Sequence, residues 1–200
     1  MSRCKIKIEP SALALLAGFV LLSSPVLLAA LLFAALFHEL GHYALLRLFK
    51  GYVKEIHVTI FGAEMQVKDG AGYGGELLTT LAGPTVNLLL AVLFGYLGKW
   101  YAPLYLFSGA QAVLGVFNLL PIRPLDGSAL LWIAAAYFTE PYTADRVSAW
   151  LGFAAALCLT GFALFLLLRM GGTPFFLLAA LGLFRCACRE IGLVKRARKR

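Results

Sequence analysis

The stretch that decides the fold of this chain is Val26–Phe49, with the sequence VLLAALLFAALFHELGHYALLRLF. It suits a membrane-spanning helix, because about 20 apolar residues cross the ~30 Å hydrocarbon core of a bilayer. Near its middle, however, it carries His38, Glu39 and His42. Ionisable side chains at that depth cost about 2.5 to 3.5 kcal/mol each even on lenient insertion scales. A helix that keeps this cluster in an apolar setting is expected to use it for a function.

The rest of the chain has the same apolar character. Hydrophobic residues make up 61% of the 200 residues and charged residues 14%, whereas soluble proteins average about 25% charged residues. The net charge of +8 does not indicate nucleic-acid binding, because the basic residues flank apolar segments. We predict an all-α polytopic membrane protein. We also predict reduced, non-catalytic cysteines at Cys4, Cys158, Cys186 and Cys188.

The apolar segments predict about six transmembrane helices, of which the fourth is broken. They run from about Ser11 to Ala30, Val26 to Phe49, Glu76 to Tyr96, Pro103 to Phe138, Ser148 to Leu168 and Thr173 to Phe184. Pro121, Pro124 and Gly127 interrupt the fourth segment, since two prolines and a glycine cannot continue a regular helix. Irregular backbone at membrane depth is tolerated only where it lines a protein-enclosed site. The broken span is therefore predicted to line a site.

Residues between the second and third spans alternate in polarity. The alternation over Val53 to Phe61 predicts a strand, and Gly62 can turn it back into a small β hairpin. His57 lies on the polar side of this strand and is predicted to be solvated. The strand offers an edge to which an extended substrate segment could add, or it is a membrane-surface hairpin without a substrate role. The residues favour neither alternative.

The charges predict the orientation in the membrane. Six spans place both termini on one side, and that side collects 15 of the 18 Lys and Arg when Lys99, Arg123 and Arg169 are left out. The positive-inside rule makes it cytoplasmic, in a cell membrane that we expect to be bacterial. We predict a single domain over residues 1–200, with a catalytic core at about 26–138, C-terminal helices at about 148–184 and a basic tail at 185–200.

The His38-Glu-Leu-Gly-His42 sequence is an H-E-x-x-H motif. On a helix, two histidines at i and i+4 share one face, which suits two imidazoles on one zinc ion, and Glu39 can act as general base. A catalytic zinc takes three protein ligands. Asp126 is the only other carboxylate at membrane depth, so we predict it as the third ligand, and it could also cap the helix after the break. Helix–helix hydrogen bonding without a metal is the alternative, but it does not require two histidines on one face.

Three motifs resemble the signatures of a known family in order and spacing, over about Ile6 to Trp132. The family is the site-2 protease family of intramembrane zinc metalloproteases. The motifs are His38-Glu-Leu-Gly-His42, Ala82-Gly83-Pro84-x-x-Asn87 and Asn118-x-x-Pro121-x-x-Pro124-Leu125-Asp126-Gly127.

This resemblance implies a core of three helices that hold one zinc ion within the membrane. His38, His42 and Asp126 would bind the zinc and Glu39 would be the base. Asn118 would position the substrate or stabilise the oxyanion. The substrate would be a transmembrane or membrane-associated protein, cut near the cytoplasmic end of a span.

Some residues depart from the family pattern or stay open. Asn87 is an open candidate for the same role as Asn118. Ser128 stands where the family has a second glycine, and Ile60-Phe61-Gly62-Ala63 replaces the family's Pro-Phe-Gly-Gly. We expect no PDZ-like insertion and no regulatory domain, which is typical of the compact branch that includes the sporulation sigma-factor-processing enzymes.

Two other functions stay open at this point. An inactive homologue that only binds membrane proteins would be expected to lack Glu39 or a ligand. A metal transporter would need further polar residues across the other half of the membrane. The sequence predicts no nucleic-acid partner, and it identifies neither the substrate nor the oligomeric state.

Overall fold

The computed structural model describes residues 5–8, 10, 24–59, 62–68, 72–171 and 174–197. The first span predicted from the sequence, about Ser11 to Ala30, lies mostly outside these residues. Within them the chain forms, in order, β1 (Lys5–Ile8), α1 (Pro25–Leu48), β2 (Tyr52–Thr59), β3 (Gly62–Lys68), α2 (Gly72–Leu97), α3 (Leu104–Asn118), α4 (Asp126–Phe138), α5 (Pro141–Met170) and α6 (Pro174–Ala197). The chain divides into two compact units, Met1–Asn118 and Leu119–Arg200. The single-domain organisation stays a prediction.

Among the described helices, α1, α2 and α5 are long and apolar enough to cross a membrane. Their outer faces carry large hydrophobic side chains, such as Leu36 on α1, Val92 on α2 and Leu157 on α5, each more than half exposed. Such faces suit lipid tails rather than water. The predicted class, a helical membrane protein, is confirmed.

In the first unit, α1, α2 and α3 all pack against one another. Small residues make this possible, because they let helix backbones come close without a hydrophobic driving force. Ala30 and Ala34 of α1 and Ala110 of α3 are buried together. At Gly41 of α1, an added Cβ would lie 2.9 Å from the carbonyl oxygen of Ala82 on α2. The backbones of α1 and α2 are thus nearly in contact there.

The three strands form one sheet in the order β1-β2-β3. Strand β2 pairs with β1 in parallel and with β3 antiparallel, and residues Glu55 to Val58 of β2 have partners on both sides. The prediction that the strand at Val53 to Phe61 offers a free edge is therefore wrong over these residues. The N-terminal arm supplies β1, which covers that edge. Within the part of the chain that the structure describes, β1 and β3 are the outer strands of the sheet.

In the second unit, the interruption predicted for the fourth apolar segment is present between α3 and α4. Gly127, the second residue of α4, is buried, and a Cβ there would overlap the carbonyl group of Leu119. The chain doubles back against the start of α4 so closely that no side chain fits.

The last two helices are longer than predicted. Helix α5 begins at Pro141, and α6 continues through the basic residues to Ala197. Pro is well tolerated at the first position of a helix. Arg, Lys, Glu, Ala and Leu all favour helix, so the loss of apolar character after Phe184 does not end α6. Most of the segment predicted as a basic tail is thus helical.

We expect Gly127→Ala to destabilise the protein by about 3 kcal/mol, since the new methyl group meets a backbone carbonyl that cannot move without distorting the segment. Thermal unfolding of the purified protein in detergent measures the effect. Gly161→Ala in α5 is the control, because among the described residues no atom outside the adjoining turns of its own helix lies within 4 Å of the added Cβ. An unchanged unfolding temperature for Gly127→Ala would contradict the close approach described above.

Candidate metal centre

Helix α1 carries two histidines one turn apart, and their rings meet. The Nε2 atoms of His38 and His42 lie 3.1 Å apart. The ring centroids are 4.7 Å apart and the ring planes are nearly perpendicular, at 83°. A tetrahedral metal ion with metal–nitrogen distances of about 2.0–2.1 Å, as for Zn²⁺, holds two nitrogen ligands about 3.3 Å apart. The histidine pair is thus close to the geometry that such an ion requires.

A backbone carbonyl sets the tautomer of His42. Nδ1 of His42 lies 2.8 Å from the carbonyl oxygen of Thr79 on α2. Because that oxygen can only accept, Nδ1 must carry the hydrogen, and in neutral His42 the lone pair is on Nε2. Metal-binding histidines commonly have this arrangement, which orients the ring and raises its basicity. The sequence gives no indication of this role of Thr79, since a main-chain carbonyl leaves no residue-type signal.

Gly83 of α2 provides the space in which the two rings sit. It is buried, and an added Cβ would overlap the His42 ring at Nε2 and lie 2.9 Å from Cε1 of His38. Helix α2 therefore presents bare backbone to the histidine pair. This explains a glycine inside a helix, where it costs about 1 kcal/mol relative to alanine.

Two further predicted site residues lie in the first unit. Glu39 follows His38 on α1 and is partly buried. Asn118 is the last residue of α3, and its side-chain Nδ2 donates to the carbonyl oxygen of Leu114 at 3.1 Å. One N–H of this amide is therefore used within its own helix.

Asp126 lies in the second unit, as the first residue of α4, and is partly buried. The prediction that it could cap this helix is wrong, because the N-cap residue is Leu125 and the cap has no side-chain hydrogen bond. An acidic residue in the first turn is still favourable, since it faces the positive end of the helix dipole. The hydroxyl of Ser128, which stands where the family has its second glycine, donates to the carbonyl oxygen of Leu125 at 2.8 Å.

Two buried carboxamides form a polar layer between α2 and α3. Asn87 and Gln111 are each fully buried, and among the described residues neither side chain has a hydrogen-bond partner. A Cβ on Gly115, one turn after Gln111, would lie 3.2 Å from Cβ of Asn87, and Ser108 Oγ donates to the carbonyl oxygen of Ala91 at 2.7 Å. Gln111 lies between these two contacts, so it faces α2 close to Asn87.

Asn87 is a candidate residue from the sequence motifs, whereas Gln111 lies in none of them. A signal was available, because a glutamine within an apolar helix is as costly as the residues that were singled out. Asn87 also follows Gly83 by one turn on α2. The polar layer thus lies about one helical turn further along α2 than the contact with the histidine pair.

The fold and the histidine pair define a helical membrane protein with a site that suits a metal ion. A scan of protein-family models finds no match to the chain. A zinc metalloprotease of Methanocaldococcus jannaschii is 28% identical over 113 residues, which are 53% of this chain and 33% of that protein. Stage IV sporulation protein FB of Bacillus subtilis is 28% identical over 164 residues, which are 78% of this chain and 57% of that protein. The chain thus spans between a third and three fifths of the length of these relatives.

A solved structure has the same fold. The site-2 protease from Methanocaldococcus jannaschii matches with a TM-score of 0.68 and 24% sequence identity, over 92% of this chain and 89% of that chain. The resemblance to the site-2 protease family that the three motifs indicate is confirmed by these similarities.

We expect Gly83→Ala to abolish metal binding by the histidine pair, because the methyl group would occupy the place of the His42 ring. Metal content after loading with zinc measures the effect. Gly109→Ala in α3 is the matched control and should bind as much zinc as the wild type. In the described part of the chain, its added Cβ meets no atom within 4 Å outside the adjoining turns of α3. Full zinc content in a folded Gly83→Ala variant would show that the rings do not depend on this space.

Proposed function

We propose that this protein is an intramembrane zinc metalloprotease, which hydrolyses a peptide bond within or near a transmembrane segment of a membrane-protein substrate. One observation carries the proposal: within an apolar helix, two histidine Nε2 atoms lie 3.1 Å apart, with Glu39 next to them in the chain. The similarity to proteins named as zinc metalloprotease and site-2 protease supports the reaction and the metal.

The ligand set that we propose is His38, His42 and Asp126. In this proposal the two histidines of α1 and the carboxylate at the start of α4 hold the metal ion together. Two imidazole nitrogens and one carboxylate oxygen are a donor set that zinc takes in catalytic sites, where a fourth position stays open. The tautomer of His42 fits this role, because its hydrogen is on the nitrogen that faces Thr79.

Zinc, when bound, supplies a Lewis acid that lowers the pKa of water and polarises a carbonyl group. The side chains of the protein transfer the proton and stabilise the developing negative charge. Glu39 takes the proton of the attacking water and passes it to the leaving amine. Asn118 donates a hydrogen bond to the oxygen that becomes negative as the tetrahedral centre forms. Asn87 is a second candidate for such positioning.

For the membrane arrangement we propose six spans, with a small β hairpin between the second and the third and with both termini in the cytoplasm. The distribution of Lys and Arg supports this orientation. The site would then lie in the inner half of the bilayer, a few helical turns from Arg47 at the end of α1. Substrate cleavage near the cytoplasmic end of a span follows from that depth. The whole chain would act as one proteolytic domain.

We expect one zinc ion per chain in the wild type and a clear loss of zinc in His38→Ala, His42→Ala and Asp126→Ala, because each variant removes one of three ligands. Elemental analysis of purified protein after removal of loosely bound metal gives the ratio. If Asp126→Ala kept its full zinc content, Asp126 would not be a ligand. The assignment of His38 and His42 as ligands would still hold.

We expect Glu39→Gln to keep the zinc and the fold but to lower cleavage of a transmembrane model substrate by about 10²- to 10⁴-fold, since the amide keeps the shape but cannot accept the proton. Single-turnover cleavage in lipid vesicles measures the rate. Glu76→Gln, an exposed residue near the start of α2, is the control and should cleave like the wild type. A rate near wild type in Glu39→Gln would refute the general-base role.

A further inference from the structure

The segment 119–125, which leads into α4, is a compact structure within the second unit. Two short backbone hydrogen bonds fold it, from Ile122 N to the carbonyl oxygen of Leu120 and from Leu125 N to that of Ile122, both at 2.8 Å. The side chains of Ile122 and Leu125 are buried, with 0% and 3% exposure. The segment is thus held in place by its own packing rather than looped out.

Helix α5 lies directly against this segment. A Cβ on Gly152 of α5 would lie 2.7 Å from the carbonyl oxygen of Pro121, so the helix can come this close only because it has a glycine there. The contact ties the backbone of the segment to the middle of α5.

The side chain of Arg123 adds one ionic contact to α5 and one to α6. Its Nη1 donates to Oε2 of Glu190 on α6 at 2.9 Å, and its Nη2 lies 3.6 Å from Oδ1 of Asp145 on α5. The sequence alone assigns no role to Arg123, which lies within the break of the fourth apolar segment. The structure connects it to two carboxylates on two different helices.

Asp145 also holds the helix that follows the segment. Nε1 of Trp132, in the second turn of α4, donates to Oδ1 of Asp145 at 2.8 Å. The chain is therefore attached to the same carboxylate on both sides of Asp126, three residues before it through Arg123 and six residues after it through Trp132. An attachment on both sides restricts the position of the residue between them.

We propose that Arg123 is a positioning residue, which acts with Asp145 and Glu190 to fix Asp126 relative to α5 and α6. The inference rests on the proposed function, in which Asp126 is a metal ligand. It gives α5 and α6 a role in the site, although both helices lie outside the catalytic core predicted from the sequence. Isolated surface ion pairs contribute little to stability, so the function of this cluster is geometric rather than stabilising.

The test uses the whole chain in detergent, loaded with Co²⁺ in place of zinc. The visible spectrum of bound Co²⁺ reports the geometry of its ligands. We expect Arg123→Gln to weaken Co²⁺ binding about tenfold and to change the spectrum, as substitutions beside metal ligands do. The unfolding temperature of the metal-free protein should stay near that of the wild type. Arg123→Lys should bind Co²⁺ with intermediate affinity, because it keeps the charge but not the two-pronged geometry.

Two further variants sharpen the test. Arg169→Gln in the last turn of α5 is the control for the loss of one exposed positive charge and should bind Co²⁺ like the wild type. The double variant Arg123→Glu with Glu190→Arg restores the opposite charges in reverse order. We expect it to bind Co²⁺ more tightly than Arg123→Glu alone.

The outcomes separate this proposal from the proposed function. If Asp126→Ala loses Co²⁺ affinity but Arg123→Gln has the wild-type affinity and spectrum, the positioning role is refuted and the ligand set stands. If Arg123→Gln only lowers the unfolding temperature and leaves the spectrum unchanged, its role is structural and the proposal is also refuted. If Asp126→Ala has wild-type affinity and spectrum, the ligand assignment fails and the positioning role fails with it.

Discussion

The close contact between the backbones of α1 and α2 is the constraint on which the candidate site depends. Gly41 on α1 meets the carbonyl group of Ala82, and Gly83 on α2 leaves the space for the rings of His38 and His42. Any side chain at either glycine would move the helices apart. The bond from His42 to the carbonyl oxygen of an α2 residue would then be lost, and with it the orientation of the ring.

The same close packing of α1, α2 and α3 determines which polar side chains are buried in the first unit. The helices approach closely through alanine and glycine, so the interior has room for a few polar side chains and little else. His38, Asn87 and Gln111 occupy that interior and are almost fully buried. Each is expensive in an apolar environment unless it binds something. Their place along the inner faces of three helices fits the proposed function, because a reaction inside a membrane needs polar surroundings that the protein itself supplies.

In the second unit, a different set of contacts holds the chain around Asp126, which follows the break at the start of α4. Gly127 and Gly152 allow the chain to pack against its own backbone on two sides. Side chains then complete the attachment through the carboxylates that bind Arg123. In the proposed role of Arg123, these contacts restrict the position of Asp126, which lies in the same stretch of chain.

The sequence by itself determined the apolar, membrane-spanning character of the chain, the bounds of α1 and the break after Asn118. It also predicted the residues of the candidate site, because each of these features depends on residue type and local spacing. Tertiary structure alone decided the role of Thr79, the need for glycine at position 83 and the partners of Arg123. The N-terminal arm also covers one edge of β2, which was predicted from the sequence to be free for an added strand. These features depend on which atoms meet across helices and strands that are far apart in the chain, and residue patterns within one segment carry no information about such meetings.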